Sequence, residues 1–414
     1  MSPKISLFID SQDFLSPTVT DSQVVELMLM LQARQHRFRY VNVVGVRYYL
    51  RHRLKIRARR RELESRLQDR VVLVLTLKPG NALGRTMARC LLAVYIFMRA
   101  GTRGPVFVHA RGHGAAQLVL PLKRLFRRMA VLFDVRGDVL SEFLFTAGES
   151  PGVADARETR RIASALAEKE RAALRVADEI SCVSEKLLQN LLQRHGISRR
   201  ENFHVFPSAA DADRIRPDVE LRTAVRRRLG IAGRTVMLYS GGIGRWHETD
   251  RTLDAFSAFI ALRPGAFFLF LTPYVREAES AFAGRNVPPA DYRIASVAHS
   301  AMNEYQNAAD CGILLRRPNP LNLAACPTKF PEYMLAGLPV LISDGIGDCS
   351  DFVREHAAGV VLRDLGSDTE LRDCLSTLIT ATYRRDAIRA AALRTFSKQS
   401  YLDEYERMLR AHAS

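Results

Sequence analysis

The segment from residue 310 to residue 343 constrains the fold most, because it has the pattern of a strand, a loop, a short helix and a second strand. Residues 312–315 form an apolar run that suits a buried parallel strand, and prolines in the following loop end it. A helix can start at Thr328, with the threonine hydroxyl capping the first turn, and Pro331 is tolerated there because first-turn amides have no intrahelical partner. Gly337 suits a C-terminal cap, and residues 338–342 form the next strand. This order predicts a unit of a parallel sheet.

The same segment carries candidate binding residues. Thr328, Lys329 and Glu332 lie in a loop and helix N-terminus that face the carboxyl edge of the predicted sheet. Free amides, the helix dipole and a lysine suit an anionic phosphate group, and Glu332 is an acceptor for sugar hydroxyls. The alternative is an ordinary helix cap with a surface lysine and a surface glutamate, because such caps are common.

Strand-like runs alternate with helices along the whole chain, which predicts an α/β fold with two Rossmann-like parallel-sheet domains facing a central cleft. The loop at 207–217 has no apolar periodicity and coincides with a change in charge, so we place the domain boundary there, between residues 1–215 and residues 216–395. The predicted strands are residues 5–9, 40–46, 70–77, 105–109, 130–135, 179–183 and 204–206, then 235–239, 267–271, 292–297, 312–315, 340–343 and 360–362.

The net charge of +17 is concentrated in the first half of the chain. Residues 1–216 contain 37 Lys and Arg against 21 Asp and Glu, a balance of +16, and the remainder carries +1. A basic half implies an anionic partner, which could be lipid headgroups, phosphates or nucleic acid. The run at 51–61 can form a helix with a dense basic flank and an apolar line of Val46, Leu50, Leu54 and Ala58. That helix could lie at an anionic lipid surface, or it could present an ordinary solvated face.

Six cysteines are scattered without a Cys-x-x-Cys pair, which suggests neither a disulfide framework nor a zinc site and fits a reducing cytosol. The first ten residues resemble a strand and not a signal peptide, and no apolar run has the length of a membrane span. We expect no metal site, because there is no His-x-x-x-His pair and no metal-like Asp-x-Asp.

Two Arg-Gly pairs follow predicted strands of the basic half. His109 and Arg111 belong to one strand end and Arg136 to the next, where open α/β sheets place their ligands. These three side chains are candidate contacts for a phosphate or sugar on the acceptor side. The alternative for each is a satisfied polar residue at a turn.

A glycine loop, Ser240-Gly-Gly-Ile-Gly-Arg-Trp-His-Glu248, precedes a predicted helix in the second half. Gly241 and Gly242 allow close approach of the backbone to a ligand, and Arg245 adds a forked donor for phosphate oxygens. The loop is neither Gly-x-Gly-x-x-Gly nor a P-loop, so a dinucleotide oxidoreductase is disfavoured.

With these motifs, the chain resembles a retaining glycosyltransferase of the GT-B fold in glycosyltransferase family 4 (group 1). The resemblance is carried by Val183-Ser184, Phe206-Pro-Ser with Asp211, the Tyr239-Ser-Gly-Gly loop, Tyr305-Gln-Asn-Ala-Ala-Asp-Cys-Gly312 and, above all, Pro327-Thr-Lys-Phe-Pro-Glu332-Tyr-Met-Leu-Ala-Gly337-Leu-Pro-Val. His109-Ala-Arg-Gly and Phe133-Asp-Val-Arg-Gly137 resemble a bacterial surface-polysaccharide branch of that family.

The resemblance implies a nucleotide-sugar donor bound mainly by the C-terminal domain. Glu332 matches the second motif glutamate, which holds the donor ribose, and Arg245 matches the basic residue that contacts the diphosphate. Together with these two residues, Gly241, Gly242, Thr328 and Lys329 form the predicted donor site. The resemblance also implies that residues 396–414 return to the N-terminal domain as a helix.

Three positions depart from the family pattern. Ala324 stands where the family has its first motif glutamate, and His247-Glu248 stands where a Lys-Gly pair is frequent. The segment Leu271-Thr-Pro-Tyr274 lacks the glycine that usually follows the second strand of the domain.

We therefore expect transfer of a sugar, with retention, from a nucleoside diphosphate sugar to a lipid-linked or growing glycan acceptor in surface polysaccharide or glycoconjugate synthesis. Arg245, Lys329 and Glu332 are the predicted catalytic residues, and the two cations stabilise the leaving diphosphate without a metal or other cofactor. The basic half would hold a cytoplasmic enzyme at the inner face of an anionic membrane, and domain closure would exclude water.

Three other functions stay open at this point. A non-catalytic glycan-binding or scaffold protein with a decayed transferase site is suggested by Ala324 and His247. A nucleic-acid-binding protein is suggested by the basic half, although no RNP-type aromatic motif is present and we expect no nucleic-acid partner. A GT-B-like epimerase or phosphorylase would act without an acceptor.

Overall fold

The computed structural model describes residues 5–11, 14–15, 17–78, 80–148, 156–244, 247–285 and 287–412. The chain divides into two compact units, of which one comprises the chain up to Phe206 together with the chain from Tyr401, and the other comprises Pro207–Ser400. Residues 207–215 belong to the second unit, whereas the sequence analysis placed them in the first. Arg389 of the second unit donates hydrogen bonds to the carbonyl oxygens of Ala212 and Ile215, at 2.8 and 2.6 Å, which holds this segment there.

The first unit is built on a parallel sheet. In the described residues the strand order is β3-β2-β1-β4-β5-β6-β7. Its strands are β1 Ile5–Asp10, β2 Arg39–Gly45, β3 Val72–Thr76, β4 Val106–Arg111, β5 Met129–Val135, β6 Glu179–Cys182 and β7 Phe203–Val205. Its helices are α1 Pro17–Thr20, α2 Glu26–Ala33 after a π-helical turn at Asp21–Val25, α3 Val46–Leu67, α4 Ala82–Ala100, α5 Gly112–Val119, a 3₁₀ turn at Leu120–Arg124, α6 Val139–Gly148, α7 Ala156–Val176 and α8 Glu185–His195.

The second unit repeats the design. Its described strands pair in parallel in the order β10-β9-β8-β11-β12-β13. The strands are β8 Val236–Ser240, β9 Phe267–Leu271, β10 Tyr292–Ala295, β11 Cys311–Leu314, β12 Val340–Ser343 and β13 Gly359–Leu362. The helices are α9 Val219–Leu229, α10 Thr249–Leu262, α11 Val275–Ala283, α12 Met302–Ala308, α13 Pro320–Leu323, α14 Lys329–Leu335, α15 Cys349–Glu355, α16 Asp368–Thr380 and α17 Arg385–Thr395, with 3₁₀ turns at Pro289–Asp291 and His299–Ala301. The last helix, α18 Gln399–Ala411, has most of its length in the first unit.

Continuous apolar runs form the strands, because helices cover both faces of a parallel sheet and leave no solvated side. All seven residues of β5 are buried, as are all five of β9. Local caps define both ends of the helices that connect the strands, as α8 shows. The Ser184 hydroxyl accepts a hydrogen bond from the Leu187 amide at the start of α8, and Gly196 takes a left-handed conformation at its end. The alternation of elements in the sequence is thus the alternation in the structure.

Candidate functional site

The candidate donor residues of the second unit lie at the carboxyl edge of its sheet. The glycine loop follows β8, the proline-containing loop follows β11, and a third loop follows β12. Because β8, β11 and β12 are neighbours in a parallel sheet, their following loops leave at the same edge.

Glu332 is the most buried of those predicted site residues that the structure describes, at 1% exposed. Its carboxylate accepts hydrogen bonds from Gln306 Nε2 at 2.9 Å and from Lys329 Nζ at 3.1 and 3.2 Å. The ring atom His299 Nδ1 lies 3.9 Å from Glu332 Oε1. A buried carboxylate needs hydrogen-bond donors to offset its lost hydration, and Lys329 is the one of these three neighbours that was among the predicted site residues.

Gln306 and His299 are fixed by their own elements. Gln306 is fully buried on α12. Arg214 donates to His299 Nε2 at 2.8 Å and to the His299 carbonyl oxygen at 3.1 Å. Since Nε2 accepts from a guanidinium, a neutral His299 carries its proton on Nδ1, the nitrogen that faces Glu332. The segment Tyr305-Gln-Asn was part of the family resemblance, whereas His299 gave no sequence signal.

Thr328 stands at the N-cap position of α14, but the expected side-chain cap is wrong. Its backbone is helical, with φ −58° and ψ −22°, and its hydroxyl accepts no capping hydrogen bond. A side-chain cap requires an extended N-cap residue, because only then does the hydroxyl reach the amides of the first turn. In this helix Pro331 occupies the first turn, as expected, and Gly337 has the expected left-handed φ of 65°.

Side chains lie close to Gly241 and Gly242 and leave little room for a Cβ at either position. A Cβ at Gly241 would lie 3.0 Å from the Tyr239 hydroxyl, and one at Gly242 would lie 3.2 Å from His247 Nε2. The Tyr239 hydroxyl donates a hydrogen bond to the Gly242 carbonyl oxygen, which fixes the loop on β8. Arg245, the predicted diphosphate contact, lies outside the described residues.

Arg316 is a further cation at this edge that the sequence analysis did not single out. It is the second residue after β11, and its Nη1 donates a hydrogen bond to Asn322 Oδ1 at 3.2 Å. Burial lowers the pKa of Arg316, and the groups that oppose the shift are Tyr239 and two cysteines. Burial, followed by the charge of Arg316, lowers the pKa of His247 to about 4, so His247 is neutral at pH 7.

In the first unit, His109 and Arg136 converge on one buried carboxylate, Asp134. His109 Nε2 lies 3.2 Å from Asp134 Oδ2 and Arg136 Nη1 lies 3.4 Å from Asp134 Oδ1. Burial alone would raise the pKa of Asp134, but Arg136 and His109 hold it well below its usual range. An ionised Asp134 only accepts hydrogen bonds, so His109 is protonated on Nε2 and accepts at Nδ1 from the Tyr405 hydroxyl, 2.7 Å away.

Arg111 is buried, with a different environment from its neighbours. Its Nε lies 3.9 Å from Asp10 Oδ2, and among the described residues Nε and Nη1 have no hydrogen-bond partner. Burial and the nearby charge of Arg136 lower the pKa of Arg111. The structure thus gives both ring nitrogens of His109 protein partners, whereas two buried donors of Arg111 have no hydrogen-bond partner among the described residues.

The described residues contain neither a metal-binding cluster nor a membrane-spanning helix. No group of three or more His, Cys, Asp or Glu side chains there is arranged to hold a metal ion. No helix in that part of the chain is both long enough and apolar enough to cross a bilayer.

The chain was compared with known proteins by sequence and by structure. No protein-family model matches the chain, and no curated protein matches it by sequence. Among solved structures, HepE of Anabaena in complex with UDP and glucose matches with a TM-score of 0.67 at 15% identity, over 98% of this chain and 99% of that chain. A glycosyltransferase of Rickettsia africae matches with a TM-score of 0.69 at 13% identity, over 99% of this chain and 98% of that chain. The lipopolysaccharide outer core galactosyltransferase WaaB matches with a TM-score of 0.64 at 11% identity, over 98% of this chain and 99% of that chain.

These likenesses, together with the two sheets, confirm the expected fold class. The chain has two parallel-sheet, Rossmann-like domains of the kind found in GT-B glycosyltransferases.

Proposed function

We propose that this protein is a glycosyltransferase that takes its sugar from a nucleoside diphosphate sugar. One observation carries the proposal: a buried Glu332, held by Lys329 and Gln306, lies at the carboxyl edge of the second sheet. That edge is where open α/β sheets bind ligands. The fold supports it, because HepE, which shares the fold, was crystallised with UDP and with UDP-glucose.

In this proposal Glu332 accepts hydrogen bonds from donor hydroxyls, as the resemblance implies for the ribose. The carboxylate has four lone-pair sites, and Gln306 and Lys329 supply donors to both of its oxygens while fixing its orientation. The leaving group is a diphosphate, so its departure depends on fixed positive charge more than on a strong base. Lys329 and Arg245 are the proposed sources of that charge, in a retaining transfer that needs no metal.

The proposed acceptor is lipid-linked or a growing glycan, met at an anionic membrane surface. Leu50 and Leu54 of α3 are 61% and 73% exposed, while Ile56, Leu63 and Leu67 form the buried face of that helix. The apolar line therefore points away from the core, among the basic residues that flank it. An exposed apolar line with a basic margin is the pattern of a helix that lies at a lipid interface.

The charge of the segment that follows α3 also favours an anionic membrane as the partner. Residues 70–133 contain eleven Lys and Arg and no Asp or Glu. Val94, Phe97 and Met98 of α4 are also exposed within this segment. Anionic headgroups would attract such a surface, by about 1 kcal/mol for each basic residue near the bilayer.

A thermal-shift screen with UDP-, GDP- and dTDP-sugars tests the donor site. We expect at least one nucleotide sugar to stabilise the wild type and to stabilise Glu332→Gln much less, because a lost hydrogen bond to a charged group costs roughly 1.5–3 kcal/mol. Each shift is measured against the unliganded form of the same variant, since Lys329 loses its counterion in the mutant. Glu277→Gln, an exposed glutamate on α11, is the matched control. Equal shifts in wild type and Glu332→Gln would remove Glu332 from the site.

A second candidate is a glycan-binding or scaffold protein with a decayed transferase site. It is favoured by Ala324, which is fully buried at the position of the first motif glutamate. Donor hydrolysis and transfer assays with several nucleotide sugars separate the two functions, because a scaffold would bind a donor or glycan without turnover.

A further inference from the structure

The segment from the start of β11 to the third residue of α14 contains three cations and no acidic residue. Residues 311–331 include Arg316, Arg317 and Lys329 but neither Asp nor Glu. This stretch therefore carries three positive side chains, and an anionic ligand would be attracted most by those whose charge the protein does not already neutralise.

Two of the three cations have carboxylate partners. Arg317 Nε donates to Glu248 Oε1 at 2.8 Å, and Lys329 Nζ lies 3.1 Å from Glu332 Oε2. Arg316 differs from both, because among the described residues its side chain makes one hydrogen bond, to the neutral amide oxygen of Asn322. In the described part of the chain, no acidic side chain lies within ion-pair distance of Arg316.

The surroundings of Arg316 make the missing counterion costly. Its neighbours include Tyr239, Cys326 and Cys349, and the imidazole of His247 beside it is uncharged at pH 7. Arg316 is half-buried, so its guanidinium loses part of its hydration without a compensating carboxylate, which costs free energy. Such a residue is expected where a ligand supplies the opposite charge.

The position of Arg316 is fixed by the backbone. Its amide donates to Ser343 Oγ at 2.9 Å, and Ser343 Oγ donates to its carbonyl oxygen at 2.8 Å. Both ends of this clamp lie at the carboxyl edge of the sheet, after β11 and at the end of β12. Arg316 is thus held in place before any ligand arrives, which reduces the entropy lost on binding.

The same loop offers a second donor without an acceptor. Asn319 Oδ1 accepts from the Asn322 amide at 2.8 Å, which caps α13. Its Nδ2 is buried and has no hydrogen-bond partner among the described residues.

We propose that Arg316, assisted by Asn319, binds an oxyanion of the nucleoside diphosphate sugar, either its diphosphate or the carboxylate of an acidic sugar. This inference rests on the proposed function and adds to it the residue that receives the negative charge of the donor. The planar fork of the guanidinium matches two oxygens of a phosphate or carboxylate at once.

The test compares wild type, Arg316→Gln and Arg316→Lys by calorimetric titration with uridine, UDP, UDP-glucose and UDP-glucuronate, and repeats the set with GDP and dTDP nucleotides. Arg317→Gln is the matched control, since it removes a cation of the same loop that already has a partner. If the diphosphate is the anion, Arg316→Gln binds UDP ten- to hundredfold more weakly while uridine binding is unchanged. If the sugar carboxylate is the anion, UDP binding is unchanged and the preference for UDP-glucuronate over UDP-glucose disappears.

Inorganic pyrophosphate separates this proposal from the proposed function. If the diphosphate is the anion, we expect pyrophosphate to raise the melting temperature of the wild type and of Arg317→Gln, and to raise that of Arg316→Gln by much less; if the sugar carboxylate is the anion, we expect glucuronate to show this pattern instead. This result would hold even if no nucleotide sugar bound, in which case the transferase proposal would fail and the anion site would stand. Arg316→Lys keeps the charge without the fork and should give intermediate affinity.

The unliganded proteins give a further readout. A charge without a counterion is destabilising, so unliganded Arg316→Gln should melt no lower than the wild type. A lower melting temperature together with an unchanged response to every anion would assign Arg316 a structural role and overturn the proposal.

Discussion

At the residue scale, the two charged groups Glu332 and Arg316 differ in how completely the protein satisfies them. Glu332 is held by donors on both oxygens, whereas Arg316 has one neutral hydrogen-bond partner in the part of the chain that the structure describes. A satisfied group orients a ligand, and an unsatisfied one attracts it. A binding edge that uses both kinds of group can fix a sugar nucleotide without large rearrangement of its own side chains.

Gly312 shows how tightly the strand below this edge is packed. A Cβ at Gly312 would lie 2.9 Å from Cδ2 of Tyr333, a fully buried side chain next to Glu332 in α14. We predict that Gly312→Ala lowers the free energy of unfolding by about 1–3 kcal/mol, because neither the strand nor the ring can move freely in a packed core. Urea unfolding measures the change.

The control for that prediction is Gly284→Ala. Nothing lies within 4 Å of a Cβ at Gly284, and its φ of −83° suits any residue. This substitution should be neutral or stabilising, by up to about 1 kcal/mol. If both alanines have the same effect on stability, close packing against Tyr333 is not what requires a glycine at 312.

At the scale of single elements, the sequence predicts helices and strands well because their signals are local. The apolar run at 312–315 and the turn residues after it define β11 and its end without help from distant parts of the chain. The face that a helix buries is less local. In α3 two apolar lines compete, and the structure buries Ile56, Leu63 and Leu67 instead of Leu50 and Leu54.

The proposed binding edge was predictable only in part for the same reason. Lys329 and Glu332 are one helical turn apart, so their contact follows from spacing. His299 and Gln306 approach Glu332 from two other elements, a 3₁₀ turn and α12. Arg316 differs from the other cations only in that no described acidic side chain pairs with it. Long-range convergence and missing partners leave no mark in a single sequence.

The outward line of α3 leads to a prediction about membranes. Leu50→Gln combined with Leu54→Gln should weaken binding to phosphatidylglycerol vesicles, measured by co-sedimentation, by at least about tenfold, because a leucine that inserts fully contributes about 1.5–3 kcal/mol and partial insertion contributes less. Phe97→Gln combined with Met98→Gln tests α4 in the same assay. Phosphatidylcholine vesicles are the charge control, and binding to them should be weak for every variant.

Unchanged sedimentation of the α3 variant would argue against that helix as the lipid contact. If the α4 variant alone lost binding, the membrane surface would be assigned to α4. If neither lost it while high salt released the protein, basic residues alone would account for the attraction.

At the scale of the whole molecule, each of the two units has its own sheet and contains carboxylates whose charged partners lie in the same unit. In the second unit, burial alone would raise the pKa of Asp310, but Arg222, the Val236 amide and Arg226 lower it. In the first unit, His113, His195 and Arg194 outweigh the effect of burial and lower the pKa of Glu170 to about 2. Carboxylates with lowered pKa values stabilise the fold above about pH 4.5, and this stability is lost as the pH falls through the folded-state pKa. Both units should therefore weaken in acid.

The alkaline response should differ between the units, because His204 titrates in the first one. Burial would lower the pKa of His204, but Glu179 and Glu404 raise it to about 9, and Glu404 lies on α18. A raised pKa stabilises the fold fully below the unfolded value near 6.5, and the stability is lost as the pH rises through about 9. We predict that the free energy of unfolding of the first unit falls by about 1–3 kcal/mol between pH 6.5 and pH 9.5, allowing for screening of the partly exposed Glu404.

His204→Gln should be less stable than the wild type at pH 6.5 and should lose this pH dependence, whereas His52→Gln on α3 should keep it. Urea unfolding at a series of pH values measures both, and an equal alkaline slope in wild type and His204→Gln would show that the ion pairs of His204 do not fasten α18 to the first unit.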